Sequence, residues 1–176
     1  MSTAPSGGAG ALLRSASFRG VLVANILAAI TLGTSRFVFV WLVGTLTEWD
    51  PATAILGVVI GLPPLVLSAW AGSLADRIEP RTLGVVLFSI SALGFLATAL
   101  LVEADLMTVP LAMACGFATA AAPAMLVPLL QALIPQIVPQ ERLMQAVALQ
   151  NLGMMASIFA GVFLGGAVIQ AFGVAA

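Results

Sequence analysis

Residues 109–133 read VPLAMACGFATAAAPAMLVPLLQAL, a run without one charged side chain. Coiled at 1.5 Å per residue, such a run reaches roughly 37 Å, longer than the ~30 Å hydrocarbon core of a bilayer. The texture recurs on both sides of it, at about Gly20–Gly44, Ala52–Ala75, Thr82–Val102 and Ala146–Phe172. The sequence therefore predicts an all-α fold, a polytopic transmembrane helix bundle of five spans. Residues 1–17 are small, polar and glycine-rich and are expected to form a disordered tail, with residues 18–176 as one transmembrane domain.

Composition agrees. Of 176 residues, 61% are hydrophobic and only 7% charged, against about 25% charged in ordinary soluble domains. A soluble bundle of this size would lack the polar side chains to cover its core. There is no His and a single cysteine, Cys115, so no zinc-ligand set, no Cys/His pair and no disulfide framework can be assembled. No cofactor or metal is expected. The sequence also offers no catalytic set, because it has no paired buried carboxylates and no Ser or Cys beside a base. Arginines scattered along the chain give no phosphate-tracking stripe, so nucleic acid is not an expected partner.

The charges sit between the spans and their sign alternates. Arg14 and Arg19 precede the first span, Arg77 and Arg81 follow the second, and Arg142 follows the fourth, while Glu48, Asp50, Glu103 and Asp105 occupy the opposite loops. The positive-inside rule then predicts a cytoplasmic N-terminus in a multi-pass protein of the cell inner membrane.

Arg36 is the one charge within a span. Asn25 lies about three turns before it, on the same helix face at 3.6 residues per turn, with Ala29 and Gly33 between. Polar groups in lipid should face protein or a watery path, so this face is read as a candidate substrate path, with Arg36 attracting an anionic or carbonyl-bearing molecule. The alternative is that Arg36 snorkels toward Glu48 and Asp50.

Two spans carry rows of small residues. Gly57, Gly61, Pro64, Ser68 and Gly72 mark the second, and Gly153, Ser157, Gly161 and Gly165, followed by Gly166, mark the fifth. Such rows let another helix backbone come close, so they are assigned to helix packing. Pro63, Pro64, Pro123 and Pro128 each remove a backbone donor and bend their helices.

Residues 72–81 read GSLADRIEPR. Asp76 stands at a helix C-terminus, where the macrodipole is negative, and needs compensation from a cation or from the positive end of a neighbouring helix. Here the chain resembles the major facilitator superfamily, whose loop between the second and third helices carries Gly-x-Leu-Ala-Asp-Arg and further basic residues. Gly72, Leu74, Ala75, Asp76 and Arg77 match that pattern, and Arg81 supplies a later base. The resemblance implies that Asp76 locks against a helix of a second half in one conformational state. Residues 128–149 resemble the fourth-to-fifth helix connection of the branch holding enterobactin-type exporters and macrolide efflux pumps. Gly161, Gly165 and Gly166 resemble the exporters' Gly-Pro-x-x-Gly-Gly motif, with Val162 in place of its proline.

What the resemblance implies is a secondary transporter of two six-helix halves, each of inverted three-helix repeats, working by alternating access. The chain is then expected to be the N-terminal portion of an efflux pump, an antiporter for a drug-like or siderophore-like small molecule, and a fragment ending after the fifth helix. Its expected partners are the lipid bilayer, the missing C-terminal half and the small-molecule substrate. The alternative reading is a five-span membrane scaffold that oligomerises through its glycine-rich faces.

Overall fold

The computed structural model describes residues 12–49, 51–75 and 79–172, the side chains of 68–75, 80, 171 and 172 excepted. Five long helices follow one another: α1 (Ala16–Leu46), α2 (Pro51–Ala75), α3 (Pro80–Glu103), α4 (Val109–Ile137) and α5 (Leu143–Phe172), with a single 3-10 turn, Gln140–Arg142, before α5. No strand occurs among the described residues. Four helical stretches, Ala16–Leu46, Arg81–Glu103, Val109–Ile137 and Gln140–Gln170, are long and apolar enough to cross a membrane, and Pro51–Leu67 is a shorter apolar helix. Over its full 25 residues, α2 is about 37 Å long, enough by length to span the hydrocarbon core.

The helix ends have local causes. Ser15 caps α1, its hydroxyl accepting from the Phe18 N–H at 3.5 Å. Pro80 opens α3, where its missing N–H costs nothing. Two ends differ from the sequence reading. α1 begins at Ala16 rather than Gly20, and Leu12, within the segment read as a tail, is buried at 4% exposure beside Phe18 and Ile134. Residues 1–11 of that tail lie outside the described residues. α4 runs past Leu133 and through Pro135 to Ile137. One proline forfeits one backbone bond and bends the helix without ending it. Pro139 ends it, because the residue before a proline is pushed out of the helical region, and Val138 is extended at φ −119°, ψ 132°.

After α3 the chain reverses through Asp105, whose φ of 54° is left-handed. The Leu106 N–H donates to the Leu101 carbonyl and the Asp105 N–H to that of Val102, a Schellman closure. Aspartate tolerates this conformation and a β-branched side chain does not. Asp105→Ile should therefore lower stability by about 1–2 kcal/mol, whereas Asp105→Gly should not lower it. Thermal unfolding in detergent micelles checks both; equal melting temperatures for all three proteins would remove the argument.

Two helices organise the bundle. α1 and α4 pack on each other, and each has its own close companion, α5 on α1 and α2 on α4. α3 lies on α4, while α4 and α5 touch little. Exchanging α1 with α4 and α5 with α2 returns the three closest of these pairs, α1 with α5, α1 with α4 and α2 with α4, the relation expected of two inverted repeats; α3, which lies on α4 and hardly touches α1, stands outside it. At one end, where α1, α3 and α5 begin, Phe18, Ile134, Val138 and Ala146 close the core. At the far end Phe39, Leu42, Val43, Leu56 and Ile60 do so. The outside is apolar: Leu65 is 76% exposed and Phe163 78%. Side chains of this kind on so much of the surface belong against lipid, and the molecule is an all-α membrane helix bundle.

Candidate functional site

The tightest seam in the bundle runs between α1 and α5. A Cβ added at Gly161 would fall 2.9 Å from the Thr34 nitrogen and 3.1 Å from the Ile30 carbonyl carbon, and closer still to the Ile30 oxygen. One at Gly33 would meet the backbone of Ile158 in the same way, 3.0 Å from its carbonyl carbon. The two glycines let the helix backbones touch, and the Thr34 hydroxyl crosses the seam to donate to the Gly161 carbonyl at 3.0 Å. Gly153 faces Leu22 and Ile26, and Gly165 and Gly166 seat the ring of Phe37. Ser157 bonds back to the Gly153 carbonyl at 2.6 Å. The α5 row is thus occupied within the chain and is not a free surface for a second copy.

This seam changes the reading of the α1 face. Asn25 and Arg36 are nominally on one side of the helix but stand in different surroundings. Asn25 is fully buried, and neither its amide nitrogen nor its carbonyl oxygen has a hydrogen-bond partner among the described residues. Ala29 is 1% exposed and Gly33 is covered by α5. As the structure stands, then, Asn25 does not line an open path. Arg36 is exposed. It sits between Gly33 and Phe37, which meet α5, and Phe39, which packs on Gly116 of α4. Val40, one turn further, is 44% exposed. Together they form a window on the far half of α1, between α5 on one flank and α4 with α2 on the other. Arg36 forms no ion pair among the described residues.

The α2 row behaves oppositely to that of α5. Ala52, Leu56, Ile60 and Pro63 form the buried face of α2, and Gly57 and Gly61 lie about 100° round the helix from Leu56 and Ile60. A Cβ at either glycine meets nothing within 4 Å. Of the loop residues, Gly72, Leu74 and Ala75 fall in the last turns of α2, Arg81 is exposed in the first turn of α3, and Asp76 and Arg77 lie outside the described residues.

Several residues that hold the bundle carry no mark in the sequence reading. The Ser91 hydroxyl donates to the Thr119 carbonyl at 3.2 Å, joining α3 to α4, and Gly94 backs onto the Thr119 side chain. Gly116 sits where Phe39 and Ile60 converge. Ser91, Gly94 and Thr98 form a small-residue row spaced three and four apart, which was the available signal. Buried Ser35 and Gln150 each hold a polar atom with no partner among the described residues.

Five apolar helices, three of them packed on the central pair α1 and α4, make a multi-pass membrane protein. The chain belongs to the transmembrane secretion effector family of the major facilitator superfamily, which it matches over residues 7–176. That membership makes it a transport protein. No curated protein and no solved structure matches it.

Proposed function

We propose that the chain forms the N-terminal helical half of an efflux pump, its N-terminus cytoplasmic in the inner membrane, moving a drug-like or siderophore-like small molecule outward by alternating access. The observation that carries this reading is the family match across residues 7–176, whose description is secretion. The exchange relation between α1/α5 and α4/α2 supports it, since inverted repeats are the architecture on which such rocking is built. The open Gly57–Gly61 row on α2 and the Arg36 window supply the surfaces that a second helical half and a substrate would meet. Among these surfaces Arg36 is the polar anchor, and it favours a substrate bearing an anionic or carbonyl group.

The experiment is accumulation in bacterial cells of a fluorescent apolar dye and of an anionic chelator, with and without expression of the protein. Expression should lower accumulation of one of them several-fold, and equal accumulation of both overturns the proposal. Arg36→Gln should weaken export of the anionic compound about tenfold or more, the scale of a lost charged hydrogen bond, while leaving protein levels in the membrane unchanged.

A further inference from the structure

Two side-chain amides are buried toward the end where α1, α3 and α5 begin, and neither is satisfied. Asn25 has no exposed surface, and its nitrogen and its oxygen both lack a partner among the described residues. Gln150, 3% exposed, leaves its nitrogen in the same condition. The two stand at a similar depth. Gln150 shares a face of α5 with Gly153, three residues on, and Gly153 faces Leu22 and Ile26, which flank Asn25 along α1.

What shuts them in from this end is a hydrophobic cluster. Phe18 lies two turns before Asn25 on the same side of α1, and it closes the core together with Ile134 and Val138 at the end of α4 and Ala146 of α5. α4 and α5 touch little, and this cluster holds residues of both. In the other direction Ala29, one turn beyond Asn25, is also buried. Asn25 therefore borders no space that a water could fill, and hydrating it requires the cluster to part. Burial of Phe18, Ile134 and Val138 opposes that parting. Hydration of the two amides favours it, because a polar group held dry without a partner costs free energy that water returns.

We propose that this end of the bundle opens and shuts at the Phe18 cluster, with Asn25 and Gln150 as the groups that drive it open: unpaired when it is shut, bound to water when it parts. The place of this opening in a transport cycle rests on the reading of the chain as half of a pump. Within that reading it gives the α1 face a second polar station, neutral where Arg36 is charged.

Hydrogen–deuterium exchange of the full chain in detergent micelles, followed by mass spectrometry of its peptides, tests the proposal. In the unaltered chain, residues 18–29 should exchange faster than residues 112–120, which hold buried Ala112 and Ala120 in the cluster at the far end. Asn25→Leu, which keeps a similar volume and removes the amide, should slow exchange in residues 18–29 about tenfold, the scale of one unpaired buried polar group. Residues 112–120 should be unchanged. Gln150→Leu should act likewise, and it decides the question if leucine at position 25 impairs folding. Equal slowing in both segments overturns the proposal, because the amides would then weaken the whole fold and not this end. Exchange that neither variant slows overturns it too. No substrate enters this measurement, so its result stands apart from the accumulation assay: a chain that exports neither compound can still show the local opening, and that outcome supports it.

Discussion

Gly161→Leu is expected to separate α1 from α5 and leave little folded protein. Even Gly161→Ala places a Cβ against the Ile30 carbonyl and 2.9 Å from the Thr34 nitrogen. Backbone atoms cannot swing aside as a side chain does, so a helix must shift. Forcing extra carbon into a packed seam costs about 1–3 kcal/mol, sometimes more. Shifting the helix also removes the Thr34–Gly161 hydrogen bond. The alanine variant should therefore lose about 2–3 kcal/mol and the leucine variant more. Gly61→Leu is the control: the same change in the other glycine row, at a position with open space, should shift stability by less than about 0.5 kcal/mol. Unfolding titrations of the three variants in mixed micelles give the comparison. Similar losses at Gly61 and Gly161 would mean that the close approach is not what holds α5 in place.

Asp76→Asn should abolish transport without impairing insertion. α2 is helical to Ala75; the sequence sets Asp76 next, and a carboxylate at a helix C-terminus is unfavourable by about 0.3–1 kcal/mol. A charge kept in such a place is compensated from outside its own helix, and in the proposed cycle the compensation exists in one state only. Asparagine keeps the shape and removes the charge. Losing a charged hydrogen bond worth about 1.5–3 kcal/mol shifts a two-state balance roughly 10- to 150-fold. The measurement is dye or chelator accumulation beside quantification of the protein in isolated membranes. Full export by the variant at normal abundance would remove Asp76 from the mechanism.

The spans were readable because hydrophobic length is a property of each segment alone. Val109–Leu133 must be a helix across lipid whatever surrounds it. What covers each helix face is not a local property. Asn25 and Arg36 share a face by period, but the packed bundle buries the first and leaves the second exposed. The two glycine rows look alike in sequence, but one meets a backbone and the other meets open space. A small residue permits close approach without naming the partner. The end of α4 is set in the same way: Ile134 and Val138 join Phe18 in the core, and the helix runs on through Pro135 to Ile137.

The hydrogen bond from Thr34 to Gly161 joins residues 127 positions apart, which sets a timetable for biogenesis. At about 5–20 residues per second, the ribosome needs roughly 6–25 s between making one partner and the other. For that interval the Gly33 side of α1 has no helix to rest on. The first span must wait in lipid, or in the care of the insertion machinery, until the fifth arrives to close the seam. Variants that weaken this contact should show themselves first as chains degraded during synthesis, before any loss of activity can be measured.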